Sequence, residues 1–417
     1  MSIHGLQPAI RAEFLKHCCE RGMSLLRARR LDEAMAEFHD ALRVDQAHAD
    51  ALFGLGECMM LRGRIEDAIA RYLECLQANP RHVPARFSLG NAYLAKGKSN
   101  DAIKQFMMIQ MADPGHVGAR FGIGKSLEKK GQFSDALENY RGIVVAFPDY
   151  IDAYLAAARC LIEQGRNKDA VKEYCNAISR APGRLDIRET LIDLLARMGF
   201  YEDAIAEYRS ILAELPGNPR RDFEIYLSIA SLMDRGGSIG AAIDEYARIL
   251  KMDPANSMAF NKHRLLLQER EKIDRLVHRY LGQAINRMEK IGGHFREGMK
   301  LYLDGSYSDA MGEFNLELAE APASEAHFAM GACIVRTGKL SSAVPHFQEA
   351  VRLNADFAEA HTMLGILYER FELLYEAYEE YARGVREARA LASAEGGQSG
   401  RINYRATGPS YRYYRLE

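Results

Sequence analysis

Apolar residues along this chain recur at helical spacing, in pairs of short stripes separated by turn residues. In one regular stretch Leu52, Leu55, Gly56 and Met59 fall at i, i+3, i+4 and i+7, on one face of a first helix. Ala68, Tyr72 and Cys75 follow at i, i+4 and i+7 and form the inner face of a second. Gly63 lies between the stripes, with counterparts at Gly97, Gly131, Gly165 and Gly199. Glycine tolerates the left-handed backbone that ends one helix and opens a tight turn. Proline closes the unit at Pro80, Pro114, Pro148, Pro182, Pro216, Pro254 and Pro322, because it cannot continue the second helix. The pattern predicts a helical hairpin repeated along the chain.

Two columns set the period at 34 residues. One holds Gly22, Gly56, Gly90, Gly124, Ala158, Ala230, Gly298, Gly331 and Gly365. The other holds Ala34, Ala68, Ala102, Ala136, Ala170, Ala204, Ala242, Ala310, Ala343 and Ala377. A Gly facing an Ala lets two helix backbones approach, and the large ring four residues after each Ala, from Phe38 and Tyr72 through to Phe347 and Tyr381, is expected to fill the space between neighbouring hairpins. A single hairpin cannot bury its apolar face; stacked hairpins can.

These columns resemble the tetratricopeptide repeat family over roughly residues 15–390, and Phe87 to Gly97, FSLGNAYLAKG, is very close to the family's first-helix signature. The family's tryptophan is missing; Leu52, Tyr154, Tyr226 or Phe328 stands in its place. The resemblance implies an all-α, right-handed superhelical solenoid of about eleven 34-residue helix-turn-helix repeats.

The expected organisation is a leader at 1–14, a first stack of about seven repeats at 15–256 with a short insertion at 219–222, an irregular segment at 257–290, a second stack of three repeats at 291–390 and a tail at 391–417. In the irregular segment Arg264 and Leu276 replace the small residues, and eight Lys and Arg stand against four acids. The second stack is acidic, with nine basic and sixteen acidic residues. Two readings of 257–290 stand: a degenerate basic repeat with solvated charges, or a joint that redirects the superhelix and offers a basic surface to an acidic partner. Phe260 and Tyr280 are too few aromatics for nucleic-acid stacking. The tail interleaves Arg401, Arg405, Arg412 and Arg415 with Tyr404, Tyr411, Tyr413 and Tyr414, residue types that anchor interfaces. By composition it is flexible in isolation, and it is a candidate to order against a partner or neighbouring subunit.

Composition narrows the classes without changing this picture. The net charge of −2 argues against a nucleic-acid coat, and no apolar run approaches the roughly 18 residues of a membrane span. No secretory signal is expected at the N-terminus, so the expected location is cytoplasmic. The seven cysteines, at 18, 19, 58, 75, 160, 175 and 333, show no CxxC pair and read as buried or partly buried thiols. Gly-Lys-Ser at 124–126 resembles the end of a phosphate-binding loop, but Ala119 occupies the required first glycine position and no strand precedes it. His48, His82 and His116 repeat at 34 residues, so repetition explains their spacing and a shared metal does not. No catalytic residues, metal site or cofactor are expected, and the protein reads as a non-enzyme.

In the family the first helices line the concave face, where partner segments commonly lie. That implies a groove of Phe53, Glu57 and Met60, then Phe87, Asn91 and Leu94, then Phe121, Lys125 and Glu128, then Leu155, Arg159 and Ile162. The phenylalanines would either receive apolar side chains or pack one first helix on the next. Asn91 would pair with an extended backbone, and Lys125 with Arg159 would hold a carboxylate. Asn91 and Lys125 are also similar to part of the set by which one subgroup of the family grips a C-terminal carboxylate.

The leading expectation is a noncatalytic scaffold or adaptor, holding partners in a multiprotein assembly through its concave surface and tail. The alternative is a targeting receptor or co-chaperone that captures a short linear peptide in the first stack. Partners would be one or more proteins or peptide segments, with self-association open, and neither nucleic acid nor a membrane span is expected.

Overall fold

The computed structural model describes residues 8–215, 217–285 and 292–394, which contain 21 helices and no strand. They fall into two compact units, meeting at 194/195. The first holds α1 (Pro8–Arg27), α2 (Leu31–Val44), α3 (Ala49–Leu61), α4 (Ile65–Ala78), α5 (Val83–Ala95), α6 (Ser99–Ala112), α7 (Val117–Lys129), α8 (Phe133–Ala146), α9 (Ile151–Glu163) and α10 (Asn167–Arg180). Successive helices form hairpins that stack on the next, and α11 (Leu185–Arg197) runs across the boundary. The second unit continues with α12 (Tyr201–Glu214), α13 (Pro219–Arg235), α14 (Ile239–Met252), α15 (Ser257–Ile285), α16 (Gly293–Leu303), α17 (Tyr307–Glu320), α18 (Ser324–Arg336), α19 (Leu340–Leu353), α20 (Ala358–Arg370) and α21 (Leu374–Ala394).

The turn glycines behave as their spacing requires. Gly63, Gly97, Gly131, Gly165 and Gly199 all have φ between 72° and 79°. In the first of these turns the Gly63 N–H reaches the Met60 carbonyl at 3.0 Å and the Arg64 N–H the Met59 carbonyl at 2.9 Å, which satisfies the last carbonyls of α3. Arg29 and Glu372 hold the same place in the first and last hairpins, at φ 61° and 60°.

The small-residue column works differently from the expected Gly-to-Ala approach. A Cβ at Gly90 would lie 2.7 Å from the Phe106 ring, and one at Gly298 2.7 Å from Phe314, so each glycine makes room for the ring of its own hairpin. The expected filling between hairpins also holds: Phe106 lies equally close to the Cβ position of Gly122 in the next hairpin. Phe106, Phe314 and the Ala column are buried and form the core of each unit with the other rings of the column, of which Tyr208 and Tyr381 are half-buried.

Three boundaries depart from the sequence pattern. The supposed leader contributes residues 8–14 to α1, and its final part therefore belongs to the first repeat. The insertion at 219–222 is an extra turn at the start of α13, where Pro219 opens the helix and the Asn218 side chain accepts the Arg221 N–H at 3.1 Å. Residues 257–285 form a single 29-residue helix, so the eighth unit of the chain is not a regular hairpin. The position of the turn glycine is taken by Glu271, within the run Gln268 to Asp274 that contains neither Gly nor Pro, and good helix formers carry the helix straight through. This helix packs on α14, α18 and α20 inside the second unit, whereas the compact units divide at 194/195. The tail residues Arg401 to Arg415 lie outside the described residues.

Candidate functional site

In the first unit α1, α3, α5, α7 and α9 touch one another in succession, which makes these first helices the inner layer of the stack. α3, α5 and α7 each begin after a position, repeated at 34 residues, whose side chain caps the helix, whereas Tyr150 before α9 makes no side-chain cap. The Nδ1 atoms of His48, His82 and His116 accept the backbone N–H of Ala51, Ala85 and Ala119 at 3.4, 3.0 and 3.0 Å. The repeated histidines are therefore helix caps, a role that spacing alone did not reveal. Asn218 and Asn256 serve α13 and α15 in the same way in the second unit.

The rings at these positions also pack against the groove phenylalanines. Phe53 sits 5.1 Å from the His82 ring and 6.1 Å from Tyr72; Phe87 sits 5.7 Å from His116 and 5.6 Å from Phe106; Phe121 sits 5.4 Å from both Tyr150 and Tyr140. All three are half-buried between two rings of the protein. Leu94 is buried, and Met60, Leu155 and Ile162 are half-buried.

The next position outward is polar and open. Asn91, Lys125 and Arg159 occupy one register on α5, α7 and α9, and all three are exposed. Lys125 extends over the Phe121 ring, with its Nζ 5.8 Å from the centroid. Arg159 is not a free cation: its Nε is 3.3 Å from Glu128 Oε1. Glu128 is held from below by the Tyr140 hydroxyl, which donates at 2.9 Å, and Glu57 accepts from the Tyr72 hydroxyl at 2.7 Å. Burial, reinforced by these carboxylates, holds both phenols well above their ordinary pKa, so they remain hydrogen-bond donors. Sequence reasoning missed this link. Its only signal was that the core ring is Tyr at 72 and 140 but Phe at 106.

The remaining chemistry is quiet. Gly124 to Ser126 lie inside α7, where the Ser126 hydroxyl donates to the Gly122 carbonyl at 2.7 Å, so no phosphate loop exists there. Six cysteines are buried and Cys175 is exposed, against the expectation of burial or partial burial for all seven. Burial pushes Cys19 and Cys333 up to about 12, and Cys58, Cys75 and Cys160 to about 11, which keeps these thiols protonated. Among the described residues no helix is long and apolar enough to cross a membrane, and no group of three or more His, Cys, Asp or Glu residues is placed to hold a metal.

A family profile described as tetratricopeptide repeat matches residues 19–80, 121–184, 190–257 and 335–393, and a second profile of the same description matches 63–120. No curated protein matches the sequence. Among solved structures, a tetratricopeptide repeat protein from Parabacteroides merdae is 16% identical, with a TM-score of 0.42 over 61% of this chain and 99% of its own. YrrB, described as a TPR protein with an unusual peptide-binding site, is 19% identical, with a TM-score of 0.37 over 42% of this chain and 89% of its own. TTC0263, a thermophilic TPR protein in Thermus thermophilus, is 21% identical, with a TM-score of 0.36 over 43% of this chain and 98% of its own.

Proposed function

The chain belongs to the tetratricopeptide repeat family, and from that premise we propose that it is a noncatalytic scaffold whose first unit holds a partner segment in its groove. The observation that carries this reading is the exposed column of Asn91, Lys125 and Arg159 above a closed aromatic layer. A rigid row of polar groups on successive helices suits an extended chain, with Asn91 offering both a donor and an acceptor to its backbone. Lys125 meets a carboxylate on the partner, while Arg159 is shared with Glu128. The half-buried Phe53, Phe87 and Phe121 form the floor and do not receive deep apolar anchors. Partner binding through Arg401 to Arg415 belongs to the same proposal as a second, separate surface.

The test is affinity purification from the native cell with wild type and with Asn91→Ala/Lys125→Ala, followed by mass spectrometry of what stays bound. A groove partner should be depleted about tenfold by the double variant, with an unchanged circular dichroism melt. Retention at wild-type level would remove the groove from the interaction, and loss only on deleting residues 398–417 would move it to the tail. A receptor for short linear peptides, the alternative function, is favoured if a peptide of about ten residues reproduces the binding, and the larger scaffold if only the intact partner does.

A further inference from the structure

The second unit closes on itself. The Leu340 N–H donates to the Gly237 carbonyl at 2.8 Å, which joins the α13–α14 turn to the α18–α19 turn, and Ser238 and Lys339 form a backbone bridge there. Arg370 at the end of α20 pairs with Asp234 of α13 and reaches Glu269 of α15 at 2.5 Å. Beside it, Arg336 of α18 lies 3.2 Å from Asp274 of α15. The single helix α15 thus lies against α18 and α20, two first helices, on the inner layer left open in the first unit.

The contrast between the units is sharp. The register of Asn91, Lys125 and Arg159 is held here by Met299, Ala332 and Ile366, none of them exposed, and Ala332 is fully buried. No residue of α18 is exposed. α15 carries a buried seam of Ala259, Leu266, Ile273, Val277 and Leu281, at spacings of seven and four, which is the pattern of a helix seated along other helices. It packs on α14, the helix before it, as well as on α18 and α20.

The polar part of this contact is poorly satisfied. Among the described residues, Asp274 Oδ1 and Gln283 Oε1 of α15 and the Tyr302 hydroxyl of α16 are buried without hydrogen-bond partners. Burial raises the pKa of both Glu269 and Asp274 in spite of the adjacent arginines, so desolvation outweighs the pairing. A contact with these defects holds a helix in register at a cost in stability, which leaves room for a better-fitting substitute.

We propose that α15 is a resident but exchangeable occupant of a helix-binding groove in the second unit. The partner that replaces it is an amphipathic helix with two carboxylates five residues apart beside an apolar seam, which would meet Arg370 and Arg336 as Glu269 and Asp274 do. This site is separate from the first-unit groove and stands or falls independently of it.

The experiment uses the full chain and a fluorescein-labelled peptide of residues 257–285 as probe. Glu269→Lys/Asp274→Lys places like charges opposite Arg370 and Arg336 and weakens the resident helix while leaving the groove wall intact. The peptide should bind this variant at least about tenfold more tightly than it binds wild type, by fluorescence anisotropy. Equal binding to both, or binding to neither, overturns the proposal. If the variant does not fold, hydrogen exchange on the wild type decides. The α15 amides should then exchange at least about tenfold faster than those of α18 and accelerate in 1 M NaCl, whereas exchange of α15 and α18 together overturns it.

Discussion

Replacing Gly90 by alanine should destabilise the first unit, although the same change in an ordinary exposed helix stabilises. The added Cβ would lie 2.7 Å from two atoms of the Phe106 ring. Carbon atoms in ordinary contact sit about 3.5–4.0 Å apart, so the overlap is roughly 1 Å. The ring cannot retreat: it is fully buried, equally close to the Cβ position of Gly122 on the other side, and flanked by Phe87. Overpacking of this kind costs about 1–3 kcal/mol, and the helix-propensity gain of alanine over glycine returns about 1 kcal/mol. A net loss of up to about 2 kcal/mol is expected, concentrated in α5–α8 because solenoid contacts are local. Native-state hydrogen exchange on those amides, with urea melts alongside, measures it. Gly312→Ala is the internal control, since that exposed mid-helix glycine has nothing within 4 Å of its Cβ position and should gain about 1 kcal/mol. Adding Phe106→Leu should recover part of the Gly90→Ala loss, with a favourable coupling of at least about 1 kcal/mol. If Gly90→Ala stabilises α5–α8 as Gly312→Ala stabilises α17, or the coupling is absent, the packing account of the glycine column is wrong.

Three further outcomes rest on single residues. Glu372→Gly should raise the stability of the last hairpin by about 1 kcal/mol in a thermal melt followed by exchange at α20 and α21, because it relieves a non-glycine residue at φ 60°. His361 is buried, with Nδ1 2.6 Å from Glu380 Oε2 and Nε2 2.9 Å from the Ala355 carbonyl. Burial opposes its charge, but two acceptors facing both ring nitrogens favour the imidazolium and raise its pKa. Its stabilising contribution is therefore complete below about pH 6.5 and is lost as pH rises through the higher folded-state value; protection of α20 amides should fall over that interval, and a flat profile would contradict the assignment. With a thiol reagent the native protein should show one fast-reacting cysteine, Cys175, and seven once denatured; several fast thiols in the native state would refute the burial described for the others.

The repeat was legible in the sequence because its determinants are local and recur at one spacing. Gly63 and its counterparts had to be turns and the Ala and aromatic columns had to be core, since each contact joins a residue to one in its own or the adjacent hairpin. The groove was legible in part. Asn91, Lys125 and Arg159 could be placed on one register, but the engagement of Arg159 with Glu128 and of Glu57 with Tyr72 depends on side-chain reach across helices. The fate of 257–290 was not legible. Its loss of the small residues predicted irregularity, yet only the tertiary structure made residues 257–285 one helix packed on α14, α18 and α20. The pair that helps to close that unit, Arg370 and Asp234, is 136 residues apart and follows no period. A repeating pattern specifies what each hairpin does to its neighbour; contacts between distant hairpins depend on how many small rotations accumulate along the stack, and a one-dimensional pattern does not carry that sum.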